Sequence, residues 1–182
     1  MLENISNARM FDEFCKIFLT KEAQNNFNKL NTFGVLKYLI NTENYPENSF
    51  DSRFQQAALV NTDNRLKAYK SVTPGFLIAA LLWPRLIKAA KEKGSFNLRK
   101  FFRSMDRIIR EQQELTAVPR KFHSYIKDIW SLQLKLETRL GHQPYKILNH
   151  PRFRAAYDFL LLREEASNDD QGMGDWLSLI HI

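Results

Sequence analysis

The stretch that decides the fold is Phe76-Leu-Ile-Ala-Ala-Leu-Leu-Trp83, the longest uncharged apolar run in the chain. It follows Thr73-Pro74, a pair typical of a helix N-cap with proline at the first helical position. Because apolar side chains occur all round a helix drawn through it, the run predicts a helix buried in the centre of the protein. It is far shorter than the ~20 residues needed to span a bilayer, so we expect no transmembrane helix and no membrane partner.

Helical spacing continues on both sides of this run. Apolar residues recur at three- and four-residue steps, and no segment shows sustained strand alternation or a hairpin turn signal. Helices are predicted over residues 10–18, 23–31, 50–70, 75–93, 97–116, 119–140, 144–148 and 153–162, with one or two further turns over 35–40. Within them, Thr62 or Asp63 is predicted to cap a continuation of its helix, and Pro84 to kink or break one. The sequence therefore predicts an all-α protein, a compact bundle of about eight helices with no sheet.

Positive charge is concentrated in one part of the chain. The 182 residues carry 27 Lys+Arg and 20 Asp+Glu, a net charge of +7 and a pI near 9.5. Residues 81–163 contain 18 basic and 7 acidic groups, whereas residues 164–182 contain 5 acidic groups and no basic one. A basic segment of this kind is typical of a protein that binds a polyanion, with nucleic acid the commonest partner. A basic surface that only keeps the protein soluble is the alternative.

Sequence signals for catalysis are missing. The chain has no Gly-rich phosphate loop, no H-E-x-x-H, no C-x-x-C and no nucleophile elbow. Its one cysteine, Cys15, lies among phenylalanines and is predicted to pack in the core, and the four histidines form no metal-ligand pattern. We therefore predict no catalytic residue and no metal site in this chain.

A row of arginines is the sequence feature that predicts a function. Arg99, Arg103 and Arg107 are four residues apart and Arg110 follows three later, which places all four within about 80° of one another around a helix. Apolar residues take the opposite side: Leu98, Phe101, Phe102, Met105, Ile108 and Ile109. Guanidinium groups pair with phosphate oxygens bidentately, so the row predicts phosphate binding. Asp106 and Glu111 lie on the same helix, and their carboxylates are the groups that could neutralise part of the row's positive charge.

Aromatic residues number 23, and most occur at core spacing. Tyr145, which lies between Pro144 and Lys146, is the best candidate to stack on an unpaired base.

Several segments carry longer motifs. Asp128-Ile-Trp-Ser-Leu-Gln-Leu-Lys follows Pro119-Arg-Lys-Phe-His, and Leu148-Asn-His-Pro-Arg-Phe-Arg-Ala-Ala-Tyr-Asp158 comes after both. The first is similar to D-I-W-x-L-Q-L-R and the last to L-L-E-H-P-[KR]-F-R-A-A-Y-D, the longest and most specific match, and these are motifs of the C-terminal half of bacterial poly(A) polymerases. Asn7 to Leu19 and Thr73 to Pro84 also resemble segments of this family, the second its central body helix. The family also holds the CCA-adding enzymes.

The resemblance implies an RNA-binding body without polymerase chemistry of its own. The family uses ATP and Mg²⁺ to add adenylates to RNA 3′ ends through a catalytic head with G-S followed by D-x-D, and this chain contains no such head. We expect the chain to need no cofactor, to be cytoplasmic, and to hold RNA 3′ ends with weak sequence preference. Residues 1–70 are expected to form neck and body helices, 71–166 the basic RNA-binding body, and 167–182 an acidic linker with a short apolar tail.

The residues expected to bind RNA come in two ranks. Arg99, Arg103, Arg107 and Arg110 are first, and Arg120, Lys121, Arg152 and Arg154 are second. Two other interpretations stay open here: a protein-interaction module that docks an acidic partner or a separate catalytic head, and a fragment of a CCA-adding enzyme.

Overall fold

A computed structural model describes residues 7–136 and 147–167. Over these residues the chain forms seven α-helices, α1 to α7 in chain order: Asn7–Phe18, Ala23–Thr32, Phe50–Lys67, Pro74–Ala90, Leu98–Thr116, Arg120–Leu136 and Phe153–Ser167. A short 3₁₀ helix covers Leu36–Tyr38. The all-α prediction is confirmed, whereas the predicted short helix at 144–148 lies mostly outside the described residues.

The prediction of no sheet was wrong in one place. Strands β1 (Lys91–Glu92) and β2 (Ser95–Phe96) pair antiparallel directly after α4. The turn between them holds Lys93 at φ 49° and Gly94 at φ 84°, both in the left-handed region that tight hairpins require. Strands of two residues are too short to show an alternating sequence pattern. Because the hairpin begins at Lys91, α4 ends at Ala90, three residues before its predicted end at Lys93.

Helix α4 forms the centre of the bundle, as its apolar run predicts. Every residue from Leu77 to Pro84 is buried, and α3, α5 and α6 pack around it. Trp83 makes edge contacts with Phe101 of α5 and Phe159 of α7, while Trp130 of α6 donates its indole N–H to the Ala79 carbonyl at 3.0 Å. The helix runs unbroken through Pro84. No helix in the described ranges is both long and apolar enough to cross a membrane.

A cap that links two helices departs from the predicted pattern. Helix α3 is continuous through Thr62 and Asp63, so neither residue caps it. The buried Asp63 carboxylate instead accepts hydrogen bonds from the backbone N–H groups of Ala23 at 2.6 Å and Gln24 at 3.2 Å. The first N–H groups of a helix have no partner within the helix itself. Asp63, 40 residues after Ala23 in the sequence, therefore caps α2.

Gly75 allows α4 and α6 to approach closely. A Cβ at this position would lie 3.0 Å from Cδ1 of Phe122 and 3.1 Å from Cδ1 of Tyr125. We expect Gly75→Ala to destabilise the protein by about 1–3 kcal/mol through overpacking, although alanine is normally the better helix former. Urea unfolding measures the loss, and Phe122→Ala in the same chain should restore part of it. An unchanged or raised unfolding midpoint in the single variant would contradict the close approach.

Candidate nucleic-acid interface

The arginine row lies on the solvent face of α5. Asn97 is the N-cap of this helix, and its side-chain oxygen accepts a hydrogen bond from the Lys100 N–H at 3.0 Å. Its opposite face is buried through Phe101, Met105, Ile108 and Ile109. The four predicted arginines are all exposed: Arg99, Arg103, Arg107 and Arg110. Packing against α1 and α4 therefore turns the guanidinium groups toward solvent, as the spacing predicted.

Carboxylates on the same helix leave this row largely free. Asp106 pairs with Lys127 of α6 at 2.5 Å, and Glu111 pairs with Arg85 of α4 at 2.6 Å. Within the row, only Arg107 approaches one of these carboxylates, with its Nε 3.9 Å from Glu111. Over the part of the chain that the structure describes, Arg99, Arg103 and Arg110 form no ion pair. The row thus keeps most of its positive charge available to a ligand.

Apolar side chains flank the first half of the row. Phe96 is 47% exposed, Leu98 54% and Phe102 44%. Leu98 and Phe102 were predicted on the buried face, and that prediction was wrong. Phe101 takes the buried position in this turn against Trp83, and Phe102 lies ~100° further round the helix. The result is a patch in which aromatic rings adjoin Arg99 and Arg103, whereas Tyr145 lies outside the described residues.

The second rank of predicted residues lies on other elements. Arg120 and Lys121 begin α6 and are exposed, with the Lys121 ammonium 5.0 Å from the centre of the Phe122 ring. Arg152 precedes α7 and lies 4.9 Å from the centre of the Tyr125 ring. Arg154 is exposed and its Nε is 3.1 Å from Asp158. Since α7 packs on α3 and α6 while α5 packs on α1 and α4, Arg152 and Arg154 form a group of their own.

Sequence reasoning missed Arg65, which joins that group. Arg65 of α3 lines the same cleft as Arg152 and Arg154, and its NH1 lies 3.8 Å from Asp158. It sits in the half of the sequence with almost no net charge, 87 residues before Arg152. No local pattern could have found it, because the chain brings these residues together only when α3 packs on α7.

The remaining candidate groups have structural partners. Cys15 is half-buried against the core, and burial, with a smaller effect of Asp12, raises the pKa of its thiol, which disfavours the thiolate. His123 hydrogen-bonds Gln113 and the Val118 carbonyl, and His150 Nδ1 accepts from the Arg152 N–H. Within residues 7–136 and 147–167, no three His, Cys, Asp or Glu side chains converge on one point.

The fold and this surface define an all-α body with an exposed basic face. Residues 93–179 match the family model described as the arginine-rich C-terminus of polymerase A, and residues 1–46 the one described as its probable RNA and SrmB-binding site. The chain belongs to the bacterial poly(A) polymerase family and corresponds to the C-terminal part of its members.

Curated relatives agree with this assignment. Poly(A) polymerase I of Salmonella typhimurium is 31% identical over 97% of this chain and 40% of its own length. The enzymes of Escherichia coli O6:H1 and Haemophilus influenzae are 33% and 32% identical, over 93% and 91% of this chain. The chain thus spans about 40% of the length of the curated relatives it matches.

Proposed function

We propose that this chain holds RNA 3′ ends for adenylate addition, with the α5 arginine row as its main contact. The observation that carries the proposal is the row itself: four exposed guanidinium groups, three of them without an ion pair in the described residues. Arginine pairs bidentately with phosphate, and such contacts bind any nucleotide sequence. A partner with weak sequence preference follows from that chemistry. The family model that matches residues 1–46 is that of a probable RNA-binding site, which supports RNA as the ligand.

The rings beside the row favour single-stranded RNA. Phe96 and Phe102 are nearly half exposed, and both rings contact Phe101 at the start of α5, close in sequence to Arg99 and Arg103. Aromatic faces stack on unpaired bases whatever their identity, and each such contact contributes ~1–3 kcal/mol to binding. In a duplex the bases stack on one another and are closed to such rings. A free 3′ end therefore suits this patch better than a helical stem does.

Bond formation in this proposal belongs to a catalytic head that carries the G-S…D-x-D motif. ATP and Mg²⁺ would supply the adenylate and the metal chemistry there. The chain's own residues hold the strand and direct its 3′ end, and residues 71–166 contain all eight arginines and lysines predicted to bind it. A cytoplasmic location and the need for a head stay predictions of this proposal.

Binding of a fluorescent oligoadenylate at several salt concentrations tests the proposal. If about six basic side chains neutralise phosphates, log Kd should rise with log salt with a slope of roughly 4–5, because each phosphate on a single strand contributes ~0.7. The slope separates this mechanism from apolar binding, which salt hardly weakens. Absence of binding at low salt would instead favour the protein-interaction alternative, in which the basic face docks an acidic protein surface.

A further inference from the structure

A cleft of about 280 Å³ lies between α3, the α3–α4 connection, α6 and the start of α7. Three guanidinium groups line it, those of Arg65, Arg152 and Arg154. They come from two distant parts of the chain, and the packing of α3 on α7 brings them to one place. The α5 row lies on one helix face, whereas these three arginines from different elements line a cleft that is open to solvent.

Positive charge exceeds negative charge in this cleft. Asp158 is the one carboxylate that lines it, and Arg65 and Arg154 share it, at 3.8 Å and 3.1 Å. Arg152 forms no ion pair in the part of the chain the structure describes, and its guanidinium lies over the Tyr125 ring. The shared carboxylate links α3 to α7 and accounts for two of the three arginines. It does not explain the third arginine.

Arg152 is positioned as a ligand-binding arginine would be. The guanidinium carbon lies over the Tyr125 ring, 4.9 Å from its centre, a cation–π contact that holds the side chain at the cleft without a carboxylate partner. Polar groups of Asn61, Ser71 and Thr73 also line the cleft. A strongly acidic anion with several oxygen acceptors is the ligand that matches this set of donors.

We propose that this cleft is a separate binding site for one nucleotide phosphate group. Three arginines against one aspartate match the charge of a phosphate, and the volume, just under the ~300 Å³ where pockets for larger ligands begin, suits one such group with part of its sugar. The inference rests on the proposed function only in naming RNA as a carrier of that phosphate. A free nucleotide carries the same chemistry.

NMR of the arginine Nε–H groups tests the site directly in the full chain. We expect inorganic phosphate, added at constant ionic strength, to shift the Arg152 and Arg154 signals saturably while the Arg99 and Arg110 signals move little. Arg152→Gln should weaken this binding at least tenfold, since it removes a charge-assisted hydrogen-bond donor to the anion. Lys29→Gln on α2, an exposed charge outside the cleft, is the matched control and should leave it unchanged.

Further titrations identify the source of the phosphate. Adenosine monophosphate and a short oligoadenylate are added separately, and the one that moves the same signals at the lower concentration is the natural carrier. Equal shifts of all exposed arginines, or no shift at Arg152, would overturn the cleft proposal. Those results would leave RNA binding by α5 intact, because fluorescence with the same sample measures that binding independently. Backbone amide spectra confirm that Arg152→Gln is folded.

Discussion

Reversing two charges of the α5 row, with Arg103→Glu and Arg107→Glu together, is expected to weaken RNA binding about 100-fold at ~0.1 M salt. Each phosphate contact on a single strand contributes ~5-fold at this salt concentration, the value that a log–log slope of 0.7 implies. Two lost contacts give about 25-fold, and two new negative charges beside the strand add repulsion. Fluorescence anisotropy with a labelled oligoadenylate measures the change.

A matched control separates a specific surface from general electrostatics. Lys67→Glu with Lys70→Glu changes the net charge by the same amount at the C-terminal end of α3 and just after it, outside both matched family regions, where both side chains are exposed. We expect a small effect from this pair, since neither lysine adjoins the α5 row in sequence or on its helix. Equal losses in the two double variants would remove the row from the mechanism. The salt slope should also fall by ~1.4 in the Arg103/Arg107 variant and stay unchanged in the control.

The largest effect on stability is expected from Trp83→Ala. The indole is 2% exposed and packs between Phe101 of α5 and Phe159 of α7, with the Arg163 guanidinium over its ring. Truncation removes the aromatic contacts that Trp83 makes with both helices, and large-to-small core changes of this kind cost ~3–5 kcal/mol. Such a loss is a large part of the 5–15 kcal/mol typical of a folded domain.

Urea unfolding followed by circular dichroism measures this loss. Phe102→Ala, one residue after Phe101 and 44% exposed, is the control and should change the free energy of unfolding by less than about 1 kcal/mol. If Trp83→Ala is too unstable to purify, Trp83→Phe keeps part of the packing and should give an intermediate value. A loss below about 0.5 kcal/mol in the alanine variant would show that α4 is not the centre of the core.

Local sequence predicted the features that depend on one helix at a time. The Phe76–Trp83 run predicts a buried helix because no face of it is polar, and α4 is buried accordingly. The steps of four, four and three between the α5 arginines predict one exposed face because the helical repeat fixes their angles. The start of α5 after Asn97 also agrees with residue type, because asparagine favours helix N-caps.

Exposure at the start of α5 did not follow from that local pattern. Leu98 and Phe102 have the hydrophobicity and approximate helical phase of core residues, yet both are exposed. The helix pattern specifies which side faces inward but not how far the neighbouring helix extends to cover it. The hairpin after Ala90 was not predicted either, because its strands of two residues each are too short to show a periodic pattern in the sequence.

What the sequence by itself determined, then, is an all-helical body with a basic helix face, together with the motifs that resemble its family. Only the tertiary structure decided that Asp63 caps α2 and that Arg65 meets Arg152 and Arg154 around one cleft. The physical reason is the separation along the chain over which each interaction acts. Helix periodicity and capping preferences act over a few residues, whereas a cleft is built from residues that become neighbours only when distant helices pack.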